Sequence, residues 1–355
     1  MEPQLRTTID RGCSILRAGF VLLHSKDQKA NLRCIRCVSQ SVYLHYSFFL
    51  FFCHAALTKN FLNPLSLHFL HTKLLYLALF SFTLMPEPRH FRIDIRSRED
   101  YDELHPQDSY SFPWENIRNE ACALPERSCS LDIIMKNDEK GPEVKAFFDR
   151  LGFLSVNYVT FASLPSEQLT RETTEGFCWS PNPYLKDKIQ QVEQEIGVGT
   201  VLDVGCGSCR DMIFLSTRGW FVTGIDNREK LLQQGLALSQ KYCVSEHILP
   251  LVSNIKQGLP LRNDAFDMIH ICRFIDRLLM DVLCKKVKKN GLFLYSHFLE
   301  GCEKTEVGHP KNRNGFFENG ELERILIKNN FTIVDCVYNE LPDRRPMINI
   351  SARRE

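Results

Sequence analysis

The sequence predicts a doubly wound α/β protein, with a mainly parallel seven-stranded sheet in its C-terminal half and a smaller α/β segment before it. Three observations carry this reading. From Tyr184 onward, short apolar runs alternate with segments of helical period, the pattern of a parallel sheet covered on both faces. One strand runs straight into a glycine turn and then a helix, at Val201-Leu202-Asp203-Val204-Gly205-Cys206-Gly207-Ser208. The last two strands follow each other with no helix between them, which predicts an antiparallel edge. The length of 355 residues suits about two domains.

Composition changes sharply near Met85. The run Ser41 to Leu57 carries no Lys, Arg, Asp or Glu, and a second apolar run covers Leu74 to Met85. Crossing a bilayer takes about 20 apolar residues, so the first run only just qualifies and the second is too short. Residues 1–84 read as an apolar extension, either a targeting or membrane-associated segment or a stretch upstream of a start at Met85. Membrane association is expected only if that extension belongs to the mature chain. Otherwise a cytoplasmic protein with reduced thiols is expected, with a mitochondrial one as the alternative.

Residues 85–163 then read as a small α/β domain. Phe91 to Ile95 alternates like a strand, and Ser97 is placed to cap a helix over Arg98 to Leu104. Leu131 to Met135 is a second strand. Val144, Phe147, Phe148 and Leu151 fall on one face of a helix from Pro142, closed by Gly152. Residues 164–178 are mostly polar and read as a linker. From 179 to 355 the strands are Thr200–Val204, Phe221–Ile225, His247–Leu251, Phe266–Cys272, Leu292–His297, Phe331–Tyr338 and Ile348–Arg353. Helices are expected over Tyr184–Ile196, Asp211–Thr217, Arg228–Tyr242, Met280–Lys288 and Gly320–Asn329.

The formal net charge is +1, so no global electrostatic signal points to nucleic acid. The lysines of Lys285-Lys286-Val287-Lys288-Lys289 are expected to complement a helix C-terminus and face solvent. Of the 14 cysteines, Cys34 with Cys37 and Cys206 with Cys209 form C-x-x-C pairs. Neither has a partner pair at zinc-binding spacing, so no metal site is expected.

The glycine turn carries the chemistry. Gly205 and Gly207 let the backbone turn sharply and come close to a ligand. A dinucleotide site would want a third glycine at 210, where Arg210 stands. Asp203 puts a carboxylate at the strand end, which opposes a pyrophosphate and suits a ligand bearing an ammonium and a sulfonium. Asp226, at the tip of the next strand, is placed to accept hydrogen bonds from two ribose hydroxyls.

This stretch, with Phe221-Val222-Thr223-Gly224-Ile225-Asp226, Ala265-Phe266-Asp267-Met268-Ile269 and Lys289-Asn290-Gly291-Leu292-Phe293, resembles the class I S-adenosylmethionine (SAM)-dependent methyltransferases. The resemblance implies a Rossmann-like methyltransferase fold with SAM as cofactor. It implies a turn of Asp203, Gly205, Cys206 and Gly207 around the methionine part, and Asp226 and Asn227 at the ribose. Asn254 and Ile255 fall in the adenine loop, where the family often has Asp for Asn254, and Cys272 ends the fourth strand. Glycine is common in the family where Cys209 and Asn290 stand. The tail, with Gly308-His309-Pro310-Lys311 and Pro342-Asp343-Arg344-Arg345-Pro346, resembles the small-molecule branch related to tellurite resistance.

Cys272-Arg273-Phe274 replaces the D/N-P-P-Y/F motif of enzymes that methylate adenine or glutamine nitrogen. The resemblance to the tellurite-resistance branch implies a small-molecule acceptor, and no nucleic acid is expected. His270, Arg273, His297 and His309 are the polar candidates on the acceptor side, and no catalytic residue is assigned. The competing readings are a non-catalytic scaffold that keeps the fold, and an RNA methyltransferase.

The first globular segment, through Phe91-Arg92-Ile93-Asp94-Ile95-Arg96-Ser97, Ser111-Phe112-Pro113-Trp114 and Ala123-Leu124-Pro125-Glu126-Arg127, resembles a rhodanese domain. A working rhodanese carries a cysteine at the end of its central strand. Here Ile134-Met135-Lys136-Asn137-Asp138-Glu139 has none, and two acids follow. The resemblance thus implies a degenerate, non-catalytic module, with a protein partner as its expected ligand.

Overall fold

The computed structural model describes residues 89–355 apart from 173 and 175, and only the backbone of Lys256. The readings of residues 1–84 lie outside the described residues. No helix among the described residues is long and apolar enough to cross a membrane.

The first module is a four-stranded parallel sheet in the order β3-β1-β4-β5. Its strands are β1 (His90–Asp94), β3 (Ser109–Ser111), β4 (Ser130–Met135) and β5 (Ser155–Thr160). Helix α1 (Arg98–Glu103) starts at Ser97, whose hydroxyl accepts the Asp100 N–H. Helix α2 (Ile117–Glu120) is a single turn. Helix α3 (Gly141–Leu151) buries Val144, Phe147 and Phe148 and ends at the left-handed Gly152. The sequence reading missed β5, whose Val156 and Tyr158 alternate at strand period and which pairs with β4 along its whole length.

Among the described residues of 164–178, a short strand and one buried cysteine tie the segment to the first module. Within them, β6 (Leu169–Thr170) pairs antiparallel with β2 (His105–Pro106). Cys178 is buried and its thiol contacts the Ala123 carbonyl at 3.1 Å. One apolar core runs from Ile93, Phe112 and Trp114 of the first module to Leu185, Met212 and Trp220 beyond it. Residues Arg89–Glu355 accordingly form one unit.

At the joint, helix α6 (Glu229–Lys241) of the second module meets α2 of the first. Lys241 reaches the Glu120 carboxylate at 2.5 Å and the Ser111 carbonyl. Its ammonium lies 3.5 Å from the Phe112 ring centroid. Burial pulls the Lys241 pKa below its ordinary value even though Glu120 opposes the shift.

The second module holds a seven-stranded sheet in the order β12-β13-β11-β10-β7-β8-β9. These are β7 (Thr200–Val204), β8 (Phe221–Asp226), β9 (Ile248–Val252), β10 (Phe266–Cys272), β11 (Val287–Phe298), β12 (Phe331–Glu340) and β13 (Pro346–Arg354). The chain winds from β7 outward through β8 and β9, then returns to β10 on the other side. The topological switch point therefore lies between β7 and β10, where open α/β sheets bind ligands at the carboxyl ends of their strands. Helices α4 (Pro183–Ile196), α5 (Arg210–Ser216), α7 (Met280–Cys284) and α8 (Glu321–Lys328) complete the layers with α6.

The two closing strands form the expected antiparallel edge: β12 is the outermost strand, and β13 lies between β11 and β12 and runs antiparallel to both. The physical reason is burial, since Met347 to Ala352 are all buried while β12 is half exposed. The chain places its more apolar closing strand inside.

The helix expected over Met280–Lys288 stops at Cys284, and β11 already begins at Val287. The lysines there do not share one solvated helix end. Lys286 is buried and bonds Asn263 Oδ1 at 2.9 Å, and Lys288 pairs with Asp267 at 2.9 Å.

Candidate functional site

Strand β7 delivers Asp203 and Val204 to the switch point, and the chain then reverses through Gly205 to Gly207. The N–H groups of Gly205 and Cys206 both donate to the Ile225 carbonyl, at 2.8 and 3.1 Å. This fixes the turn to β8. Gly205 and Gly207 have φ of 73° and 56°, a region where other residues are strained. A Cβ on Gly205 would stand 2.7 Å from Phe274 Cβ, whereas one on Gly207 would meet only Arg228 Nη2, at 3.9 Å. Gly205 is thus bare because Phe274 presses on it. Gly207 is bare beside open space, as a cradle for a ligand requires.

Cys209 precedes α5 with φ of 61°, and Asn290 precedes Gly291 with φ of 63°. Both departures from the family glycine therefore keep the left-handed backbone. The Cys209 thiol fills the space a Cβ on Gly235 would need, 2.3 Å away, which ties the turn to α6. Cys206 lies half-buried, and its thiol pKa is raised by hydrogen bonding to Cys209 and by burial.

Asp226, at the tip of β8, is 6% exposed. Its Oδ2 accepts the Gly207 N–H at 3.0 Å, and its Oδ1 accepts the Arg228 N–H at 2.9 Å. The Arg228 guanidinium adds bonds of 3.1 and 3.3 Å to the two oxygens. Burial raises the carboxyl pKa, but the bonds from Arg228 and Gly207 outweigh it and hold the group below the ordinary range. The carboxylate's four acceptor positions are filled. A ribose at Asp226 has to displace the Arg228 side chain. That side chain is 64% exposed, so the exchange costs little. The sequence reading did not see Arg228; only its place two residues after the acid could have flagged it.

Asp203 does not face open space. It is 2% exposed, and its Oδ1 meets His270 Nδ1 at 3.2 Å across the β7–β10 pair. Asp211 Oδ2 lies 3.8 Å from the other nitrogen of that ring. Burial raises the Asp203 pKa. Burial disfavours the His270 cation too, but the bond to Asp203 and the two carboxylate fields prevail and raise its pKa. His270 therefore sits beneath the turn, in the sheet, rather than among the acceptor-side groups.

The remaining predicted positions surround this core. Asn227 is exposed beside Asp226, and the Ser253 N–H donates to the Asp226 carbonyl at 3.1 Å, bringing the next loop alongside. There Asn254 is exposed, while Ile255 is buried in the apolar cluster with Leu202, Val204 and Phe293. The Cys272 thiol receives the Asn182 side-chain amide at 3.2 Å, and burial pushes its pKa up to about 12. Asn182 is a hub the sequence reading missed. Its side-chain oxygen caps α4 at Leu185 and its N–H meets Asp211 at 2.8 Å. The signal was an Asn directly before the Pro that opens a helix.

Of the other acceptor-side candidates, Arg273 and His309 are exposed and His297 is buried.

In the first module a cleft of about 330 Å³ opens at the carboxyl ends of β1 and β4. It is lined by Trp114, Met135, Lys136, Glu139 and Lys140, among others, and by no cysteine. Arg96 also lines it and forms a buried pair with Asp94 at 2.7 Å. Cys129 lies before the amino end of β4, and Cys122 lies close to Ser208 and Arg210 of the other module.

The switch-point glycine turn and the buried acid at the neighbouring strand tip both lie in a stretch that matches a methyltransferase domain. The family model described as a methyltransferase domain matches residues 201–288, from β7 to the start of β11. Among curated proteins, the uncharacterized protein UNK4.09 of Schizosaccharomyces pombe is 24% identical over 288 residues, covering 66% of this chain and 84% of the yeast protein. The stretch from Trp179 to the end is half of the chain, so this likeness reaches into the first module. Solved structures similar to the chain include a SAM-dependent methyltransferase of Methanosarcina mazei, at 18% identity and a TM-score of 0.40. The match covers 47% of this chain and 96% of that one. TehB of Haemophilus influenzae, at 19% identity and a TM-score of 0.40, matches over 48% of this chain and 62% of its own.

Proposed function

We propose that residues 179–355 transfer the methyl group of SAM to a small-molecule acceptor, beside a rhodanese-like module, residues 85–163, that has no catalysis of its own. The observation that carries the first part is the pairing of the open cradle at Gly207 with the buried carboxylate of Asp226. In this reading Gly205, Cys206 and Gly207 hold the methionine part, with the Asp203 carboxylate, bonded to His270, beneath it. Asp226 and Asn227 hold the ribose once Arg228 swings out. Asn254 and Ile255 border the adenine, and Cys272 closes the wall on the acceptor side. The sulfonium supplies an already activated methyl group. The residues of the chain then have to position the two partners and exclude water.

The test is calorimetric titration with SAM. Asp226→Ala is expected to cost about 1–3 kcal/mol, or roughly ten- to hundredfold in affinity. Equal affinity in parent and variant would remove Asp226 from the ribose. No SAM binding by folded parent protein would favour a scaffold that only keeps the fold.

The second part rests on the cleft at the ends of β1 and β4, which a persulfide-forming rhodanese would line with a thiolate. Met135 stands there instead, with Asp138 and Glu139 following. No transfer of sulfur from thiosulfate to cyanide is expected. Thiocyanate formation that disappears on replacing Cys122 or Cys129 would show a working sulfur carrier.

A further inference from the structure

The chemistry of the acceptor can be narrowed from three groups at the carboxyl ends of β10 and β11. Arg273 is the first residue past β10 and has φ of 56°. This left-handed backbone turns the chain sharply at the end of the strand. The Arg273 N–H donates to the Ser296 carbonyl at 2.9 Å, which fixes it against β11. The next residue, Phe274, is the one that presses on Gly205 of the glycine turn. Arg273 therefore stands at the lip of the candidate site.

Its guanidinium forms no hydrogen bond or ion pair among the described residues. It lies 5.8 Å from the Phe298 ring centroid. Arg345 lies 4.6 Å from the same ring. The nearby carboxylate of Asp343 is committed to Arg345, with bonds of 2.8 to 3.1 Å. Arg277 is likewise spent on Glu321, at 2.5 Å. Arg273 thus feels the Asp343 carboxylate but forms no bond to it, and its guanidinium stands next to an aromatic face.

The third group is His297, adjacent to Phe298 and 2% exposed. Its Nε2 meets the Gly315 carbonyl at 3.1 Å, so the ring proton belongs on that nitrogen. Nδ1 is then a bare acceptor, and it has no hydrogen-bond partner among the described residues. Burial pushes the His297 pKa down to about 4, which keeps the ring neutral. A buried acceptor without a donor is costly until a donor arrives.

We propose that the acceptor is a small anion carrying a protic nucleophile, its anionic group held by Arg273 beside Phe298 and its X–H hydrogen received by His297 Nδ1. This inference rests on the methyltransferase reading above. In the transfer the X–C bond forms as the sulfonium C–S bond breaks, the electron pair stays on sulfur, and the X–H proton passes to solvent. His297 orients that hydrogen and does not store the proton.

The test uses the full chain and matched probes: mercaptoacetate and 4-mercaptobenzoate against their uncharged amides. Binding is read by calorimetry with and without SAM, and turnover by the demethylated cofactor. At least one carboxylate should bind about tenfold or more tighter than its amide, as a charge-assisted contact gives. Arg273→Gln should remove that preference and raise KM for the acid, leaving SAM affinity unchanged. His297→Phe should weaken 4-mercaptobenzoate but not benzoate, which lacks the thiol. The inference is overturned if acid and amide bind alike, if neither binds, or if Arg273→Gln weakens both equally. Loss of SAM binding in the parent would instead strike the methyltransferase reading, and the titrations without SAM would still judge the anion site.

Discussion

Replacing Lys241 by alanine is expected to destabilise the protein by about 3–5 kcal/mol, the usual cost of removing one partner of a buried ion pair. The side chains of Lys241 and Glu120 are only 14% and 10% exposed. Without the ammonium, the Glu120 carboxylate and the Ser111 carbonyl lose their donor in a dry joint, and Phe112 loses its cation. Equilibrium urea unfolding at neutral pH measures the effect. The double variant Lys241→Met with Glu120→Gln should recover most of the loss, because it removes the uncompensated charge as well as the pair. A loss below about 1 kcal/mol for the alanine variant, the range of a solvent-exposed pair, would mean that water reaches the joint.

Gly207→Val is expected to lower SAM affinity by about a hundredfold or more while the protein stays folded. The first Cβ would meet nothing closer than 3.9 Å, so the side chain enters the cradle rather than the core. The left-handed backbone adds a strain of roughly 1–2 kcal/mol, which a domain of ordinary stability survives. Circular dichroism would check the fold and calorimetry the affinity. Unchanged affinity would move the cofactor away from this turn. Gly205→Val is a poorer probe, because its collision with Phe274 mixes a folding defect into any loss of binding.

The strands of the second module were legible because each is a short apolar run bounded by turn residues, and β7 through β10 fall where the pattern put them. The place of β13 was not legible. Its pattern marks it as deeply buried, but nothing local says which two strands will flank it. The glycine turn and Asp226 could be read from spacing alone. Arg228 could not, since a charged residue at a helix start reads as solvent-facing until its guanidinium is seen on a carboxylate. Lys241 failed for a related reason: a lysine in the last turn of a helix is expected in water, and only the neighbouring module makes it interior. Asp203 was seen as a ligand group, but its His270 partner came from the facing strand, 67 positions away. The left-handed Cys209 and Asn290 were anticipated only as departures from glycine.

The interior place of β13 also bears on how the protein is made. The ribosome releases this strand last among the seven, yet both β11 and β12 wait for it. Until residues 346–354 emerge, those two strands expose unpaired backbone edges, the kind of surface that recruits strands from other chains. The sheet cannot close during synthesis, however early β7 to β10 assemble. A chain halted before Pro346 would carry the complete glycine turn and still be prone to aggregate, so ribosome stalling between β12 and β13 would be more harmful here than in a sheet whose last strand merely joins an edge.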